Sequence, residues 1–357
     1  MCGSLMYLSK LLFVSVAAFG AVAAQYGFAQ QAKPSENPPS QASSIDQAAV
    51  RKLIDRGQAK EALRQLDIAQ AQHPAMPELD RLRGMALYAE GDFTGADRAL
   101  SKALEENGKD IEAAEYRGLT LFRLGRPADA IPVLEGIHEW AAGTKVDPSY
   151  VLALCYLDTR RYDDARHAFA HQFGFQPDSA AAYLLAGRML LRHEFLPVAE
   201  EYAKKAAELD PKLPLSRQLL GEIALAKQDV DEAIAEFEKE RDLNPLYGGI
   251  YDRLGDAYTR AGQYQKALQA LQQAVLLEPN STGPYILLGK VMLKQQDPVS
   301  AAMYLERALS MDPNNYMTHS LLGQAYRAMG RIAEASREAE TAEKLQSAAT
   351  PRLETPR

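Results

Sequence analysis

The sequence predicts an all-α protein, a solenoid of about nine stacked helix pairs, and three regularities predict it. Glycines stand at Gly84, Gly118, Gly187, Gly221, Gly255, Gly289 and Gly323, every step 34 residues except one of 69, which is two steps and one extra residue. Ala153 and Val50 fill the same register between and before them. Twelve residues after each of these nine positions comes an alanine: Ala62, Ala96, Ala130, Ala165, Ala199, Ala233, Ala267, Ala301 and Ala335. Twenty-four residues after, Pro74, Pro177, Pro211, Pro245, Pro279 and Pro313 close six of the nine units. A fixed period of this length marks a repeat array, in which each unit buries its apolar face only against its neighbours.

From the N-terminus, Lys10 is followed by the apolar run 11–24, LLFVSVAAFGAVAA, and then by small residues at Ala21 and Ala23 or at Gly27 and Ala29. This is the pattern of a secretory signal peptide, shorter than the ~20 residues that span a bilayer. Residues 1–29 are therefore expected to be a signal peptide or, as the alternative, an uncleaved anchor. Either reading puts the remainder outside the cytoplasm, in the periplasm, secreted or tethered to the inner membrane. Membrane contact is expected only through this segment, if it stays uncleaved. Residues 30–42 are rich in Gln, Pro and Ser and read as a disordered linker.

The array occupies 43–349, in units 43–76, 77–110, 111–145, 146–179, 180–213, 214–247, 248–281, 282–315 and 316–349. Unit seven shows the physics most clearly. Tyr251, Leu254, Gly255 and Tyr258 are spaced i, i+3, i+4, i+7 and make one apolar stripe on a first helix. Ala267, Leu271 and Ala274 stripe a second helix, Ala261-Gly262-Gln263 turns between them, and Pro279 ends the pair. Gly255 and Ala267 are expected to be small because the two helices approach closely where they cross. Units one and two depart from the pattern at Val50 and Arg83 and are expected to pack less tightly or to act as a cap. The irregular end of unit three around Trp140–Pro148 predicts a bend. Helix B of unit nine is polar on most of its circumference and suits a solvating C-terminal cap, with a disordered tail at 350–357.

The 34-residue period, with YDRLGDAY at 251–258 followed by Tyr264, Ala267, Leu271, Ala274 and Pro279, resembles the tetratricopeptide-repeat (TPR) family over residues 43–349. The resemblance implies a right-handed superhelix whose concave face, lined by the first helix of each pair, holds a partner. The positions it implies are one, four and five after the central glycine and three and six before it. Carried over here, they give Tyr150, Arg188, Arg192, Asp252, Asp256, Arg260, Lys290, Lys294 and Arg327 as the foremost candidates. Leu191, Thr259, Ile286, Leu293 and Gln324 accompany them, with Glu112, Glu115, Phe122, Leu154 and Asp158 in earlier units. The subtype that clamps a chaperone C-terminus resembles its kin in an Asn after the central glycine. Here those positions are Arg51, Met85, Leu119, Leu154, Arg188, Glu222, Asp256, Lys290 and Gln324, so that subtype is excluded.

Composition narrows the function. Hydrophobic residues make up 47% of the chain and charged residues 24%, with a net charge of −7 spread along it, which argues against nucleic acid as a partner. Cys2 falls in the signal segment and leaves Cys155 alone in a helix, as an inert core thiol. No phosphate-cradling loop, metal-spaced cysteine pair or serine elbow occurs, so neither catalytic residues nor a cofactor are expected. His167 and His171, spaced i, i+4, could share a metal but lack the acid-bearing motif that would mark one, so no metal is expected. Asn280-Ser281-Thr282 matches a glycosylation sequon and also suits a turn, the reading preferred here. The expectation is a non-catalytic scaffold of the bacterial envelope that binds a protein or peptide. The alternatives are a non-catalytic subunit of an envelope enzyme or of a polysaccharide, pilus or secretion assembly, and a metal-binding periplasmic protein.

Overall fold

The computed structural model describes residues 46–72, 78–137 and 148–349. The expected signal peptide at 1–29, the expected linker at 30–42, most of the irregular end of unit three and the tail from 350 lie outside the described residues. Within them the chain forms eighteen α-helices and no strand. In chain order the pairs are α1 (Gln47–Asp55) with α2 (Ala59–Gln72), α3 (Leu79–Glu90) with α4 (Phe93–Glu106), and α5 (Ile111–Arg123) with α6 (Pro127–Glu135). There follow α7 (Pro148–Asp158) with α8 (Tyr162–Phe173), α9 (Ala180–Arg192) with α10 (Leu196–Leu209), and α11 (Ser216–Ala226) with α12 (Val230–Leu243). The last are α13 (Gly248–Arg260) with α14 (Tyr264–Leu277), α15 (Thr282–Lys294) with α16 (Pro298–Met311), and α17 (Tyr316–Ala328) with α18 (Ile332–Ala349). The odd-numbered helices are the A helices of the nine units and the even-numbered ones the B helices.

Helix starts are written locally. The side chains of Asp92, Asp110, Ser179, Asp229, Asp297 and Asn315 each accept from a backbone N–H three residues on, satisfying a donor that the first turn leaves free. Buried Glu240 does the same from a distance: it accepts from the amides of Leu215 at 2.8 Å and Gln218 at 3.4 Å, and so caps α11 from the facing α12.

Between the helices of a pair the chain turns through one left-handed residue, seven positions after the register position, in all nine units. Five are Gly57, Gly91, Gly125, Gly262 and Gly330, and four are Arg160, Glu194, Gln228 and Gln296. Glycine adopts this conformation freely, whereas a residue with a Cβ is strained there by about 1 kcal/mol.

The alanine of each unit is fully buried at the crossing of its two helices, none more than 1% exposed. The glycine has a more specific partner than the close crossing that the sequence suggests. A Cβ added at Gly84, Gly118, Gly221, Gly255 or Gly289 would overlap the side chain of Leu100, Leu134, Phe237, Leu271 or Leu305. Each of these lies sixteen residues further along, on the B helix of the same unit, and each is wholly buried. The glycine is a socket and the large side chain its plug. Unit five has Ala203 at the plug position, and there Leu219 of α11 reaches back to lie 3.1 Å from where the Cβ of Gly187 would sit.

Each helix packs on the next in sequence, and A helices also pack on A helices of the following unit, as α1 on α3, α3 on α5, α5 on α7, α9 on α11, α13 on α15 and α15 on α17. The B helices of successive units make no comparable contact among the described residues. The A row is thus the closer one and forms the inner face of the array. Units three and four stack through α6 on α7 as units do elsewhere, across the junction where the sequence predicts a bend. Unit two is fully packed, with Leu82, Met85 and Ala86 buried. Arg83 does not loosen it, because the guanidinium bonds to Asp67 at 2.7 Å and Gln70 at 2.8 Å on α2 and ties units one and two together. On α18 only Ala335 and Ala342 are buried, so its remaining surface faces solvent.

The socket predicts a thermodynamic coupling. Gly255→Ala should cost about 1–3 kcal/mol by overpacking, and Leu271→Ala about 2–5 kcal/mol by leaving a cavity. The double variant should cost clearly less than the sum, since the added methyl enters the vacated space. Urea denaturation of the four proteins measures this, and strict additivity would refute the pairing.

Candidate functional site

The inner face is built from residues at a few register positions of the A helices, and their side chains are engaged to different degrees. In the first three units the charges neutralise one another. Arg51 of α1 pairs with Glu112 of α5, and Arg81 of α3 reaches Asp110 at 3.1 Å and Glu112 at 3.5 Å. Glu115 is buried on the same face. Tyr150 on α7 is half-buried, its ring edge-on to Phe169 at 5.9 Å, and Phe122 and Leu154 pack on the same core. Asp158 faces His193 at 3.7 Å.

The centre of the face is organised by Glu222 on α11. Arg188 of α9 approaches it at 3.9 Å, Arg253 of α13 at 3.3 Å, and Gln218 donates to it at 2.8 Å. One carboxylate thereby links three successive A helices. Arg188, expected to be free for a partner, is drawn toward Glu222 but makes no hydrogen bond to it at that distance. Leu191 packs on the core, and Arg192 is exposed at the end of α9. The network leaves specific atoms without a hydrogen-bond partner although they are buried: Nη1 of Arg188, Oε1 of Gln218 and Oδ1 of Asp252.

Asp252 lies on α13 against Gly283 of α15. Burial pushes its carboxyl above the ordinary aspartate range, and Asp256 and Glu278 add to the effect while Arg253 opposes it. Asp256 is bonded to Arg260 at 2.8 Å, one turn on. Thr259 turns inward and donates to the carbonyl of Gly255, so it is not presented to a partner. Glu278, at the end of α14, accepts from the amide of Gly249 at 3.1 Å.

Units eight and nine differ. Lys290 and Lys294 on α15 and Arg327 on α17 have no carboxylate within ion-pair distance among the described residues. Ile286 and Leu293 lie half-buried on α15, and Gln324 is exposed on α17. His319 is spent on the fold, between Glu338 at 2.6 Å and the carbonyl of Pro313 at 2.9 Å.

The other groups singled out in the sequence have structural places. Cys155 is fully buried, and burial pushes its thiol up to about 12, which keeps it protonated and unreactive. His171 faces Ser149 at 3.1 Å, and no group of three or more His, Cys, Asp or Glu among the described residues is placed to hold a metal ion. Asn280 is exposed in the turn between α14 and α15. On the outer side, a cleft of about 840 Å³ lies between α8 and α10, lined in part by Tyr162, Tyr183, Tyr202, Lys204 and Lys205. Both lysines there are paired, with Glu200 at 2.7 Å and Glu208 at 3.5 Å.

Sequence reasoning missed the role of Glu222 and Arg253. Glu222 occupies the position after the central glycine, but its importance comes from arginines 34 residues before and 31 after, a juxtaposition that only the stacking creates.

Family models described as tetratricopeptide repeat match residues 121–188 and 292–349, and 48–96 and 82–143; a TPR-repeat model matches 255–296. The chain belongs to the tetratricopeptide-repeat family. It is 30% identical over 107 residues to the chloroplastic TPR domain-containing protein PYG7 of Arabidopsis thaliana, covering 29% of this chain and 36% of that one. It is 21% identical over 243 residues to the BBSome complex member BBS4 homolog of Drosophila melanogaster, covering 64% and 50%. The TPR repeat-containing protein YpiA of Bacillus subtilis is 25% identical over 199 residues, covering 54% and 45%. The chain thus spans at most about half the length of these curated relatives. Among solved structures, MamA aligns with a TM-score of 0.43 at 22% identity, over 51% of this chain and all of that one. YrrB, described as a TPR protein with an unusual peptide-binding site, aligns with a TM-score of 0.42 at 21% identity, over 52% and 95%. A TPR array is a fold of protein–protein interaction scaffolds, and the matching family models indicate no enzymatic family.

Asp252 offers a test that separates folding from function. Its folded carboxyl titrates above its unfolded value, so the folded chain holds this proton more tightly. Stability therefore falls as pH rises from the unfolded value of 3.8 through the raised folded one, and stays lower above it. Asp252→Asn should be more stable than the unsubstituted chain at neutral pH, and the two should converge below pH 3.8. Urea midpoints across pH check this; equal midpoints at pH 7 would contradict it.

Proposed function

We propose that the chain is an exported, non-catalytic scaffold of the bacterial envelope that holds a segment of a partner protein along the inner face of its A helices. The observation that carries this reading is the set of buried, unpartnered polar atoms on that face, at Arg188, Gln218 and Asp252 on three successive A helices. A buried donor or acceptor without a partner costs about 1–3 kcal/mol, and a bound polypeptide supplies both kinds of group along its backbone. The partner is a protein or peptide rather than nucleic acid, in keeping with the net charge of −7. Export rests on the lysine and apolar run of residues 1–24, with the repeats outside the cytoplasm whether or not that segment is removed.

Photo-crosslinking in the native host tests both parts. A photoreactive residue at Leu191, Leu293 or Gln324 should capture one discrete partner in the envelope fraction, and the same residue at the outer-face Lys204 should not. The intact mass of the recovered chain reports whether residues 1–29 have been removed. Capture from outer positions alone would overturn the inner-face reading, and recovery in the cytoplasm would overturn export.

A further inference from the structure

We infer that the inner face of units eight and nine is a docking surface for an acidic, partly apolar polypeptide segment; this rests on the inner-face reading above and adds the chemistry of the partner. The argument begins with the charges that the fold leaves over. At the other inner-face positions cations are mostly neutralised within the chain: Arg51 by Glu112, Arg81 by Asp110, Arg188 and Arg253 by Glu222, Arg260 by Asp256. Helices α15 and α17 contain no aspartate or glutamate at all. Their Lys290, Lys294 and Arg327 stay without a carboxylate within ion-pair distance among the described residues.

Lys290 and Lys294 stand one helical turn apart, where like charges repel and weaken the helix. An unrelieved cost of this kind, in a chain of net charge −7, is removed when an anion docks. On the neighbouring B helices Glu306 accepts from Tyr326, Glu334 from Arg331, and Glu338 faces His319, while the nearest inner-face acid, Asp252 of α13, lies against Gly283 at the other end of α15 from Lys294. The cations are thus gathered on the inner row.

The surroundings favour a polypeptide over a nucleic acid or an anionic membrane. Ile286 and Leu293 share α15 with the two lysines and offer apolar contact that a phosphate backbone does not use. The cationic surface is also short. Successive helices are about 8–10 Å apart, and an extended chain advances about 3.3 Å per residue. A segment crossing α15 and α17 therefore meets a new unit about every third residue, which sets the spacing of its acids.

Fluorescence anisotropy with the purified full chain tests this. The probes are three labelled peptides of about twelve residues with a leucine and a serine between successive Glu, Gln or Lys residues, together with a random-sequence DNA duplex and phosphatidylglycerol vesicles. The Glu peptide should bind, less tightly as salt rises, and the Gln and Lys peptides should not. Lys290→Gln/Lys294→Gln and Arg327→Gln should each weaken it about tenfold, with the helical circular dichroism unchanged. The outer-face control Lys204→Gln/Lys205→Gln should leave it unaltered.

Equal binding of the Glu and Gln peptides would overturn the inference, as would insensitivity to the inner-face substitutions. Binding of the duplex or the vesicles in place of the peptide would also overturn it. Failure here is distinguishable from failure of the broader reading: a crosslink from Leu191 that persists in Lys290→Gln/Lys294→Gln would preserve an inner-face partner while removing its acidic character.

Discussion

The array depends on one steric fit, a large side chain on helix B seated over a glycine on helix A. Without a Cβ at Gly84, Gly118, Gly221, Gly255 or Gly289, the leucine or phenylalanine sixteen residues on is wholly buried against the backbone of its partner helix. That burial fixes the axial position of one helix against the other. It thereby fixes which residues of helix A point inward, because a shift along the axis would carry every inner-face side chain with it. The nine buried alanines set the spacing of the pair, and the glycine and its plug set the register.

Much of this fold was legible in the sequence because the period is covalent. Gly255, Ala267 and Leu271 recur at fixed offsets, and a stripe of period 3.6 identifies two helices per unit without any knowledge of contacts. Two features were not legible. The left-handed residue between the helices is glycine in five units, but Arg160, Glu194, Gln228 and Gln296 carry no turn signature, and there the packing on both sides imposes a conformation that the residue does not favour. Arg83 read as a defect because a leucine is usual at its position, whereas its partners Asp67 and Gln70 belong to the preceding unit.

The candidate site was legible in outline only. The inner-face positions follow from register, and Lys290, Lys294 and Arg327 stand there without a carboxylate in ion-pair distance among the described residues. Register does not say which charges the chain consumes internally. Arg188 and Asp252 look alike in sequence, each a charged residue on helix A, yet one is drawn toward the carboxylate of Glu222 and the other is buried against Gly283. The difference arises from residues contributed by two further units, and so from distances through space that only stacking determines.

The socket and its plug also bear on how such a chain grows or shrinks. Where both parts lie within one unit, as with Gly255 and Leu271, that stretch of 34 residues carries its own lock and is self-contained as a module for duplication or loss. Unit five is different: its plug position is Ala203, and Leu219 from unit six lies over Gly187 instead. Unit six keeps a lock of its own in Gly221 and Phe237, and in addition supplies the side chain that covers the socket of unit five. A rearrangement of the gene that separated unit five from unit six would leave the socket at Gly187 open, whereas unit seven would keep its own plug wherever it stood.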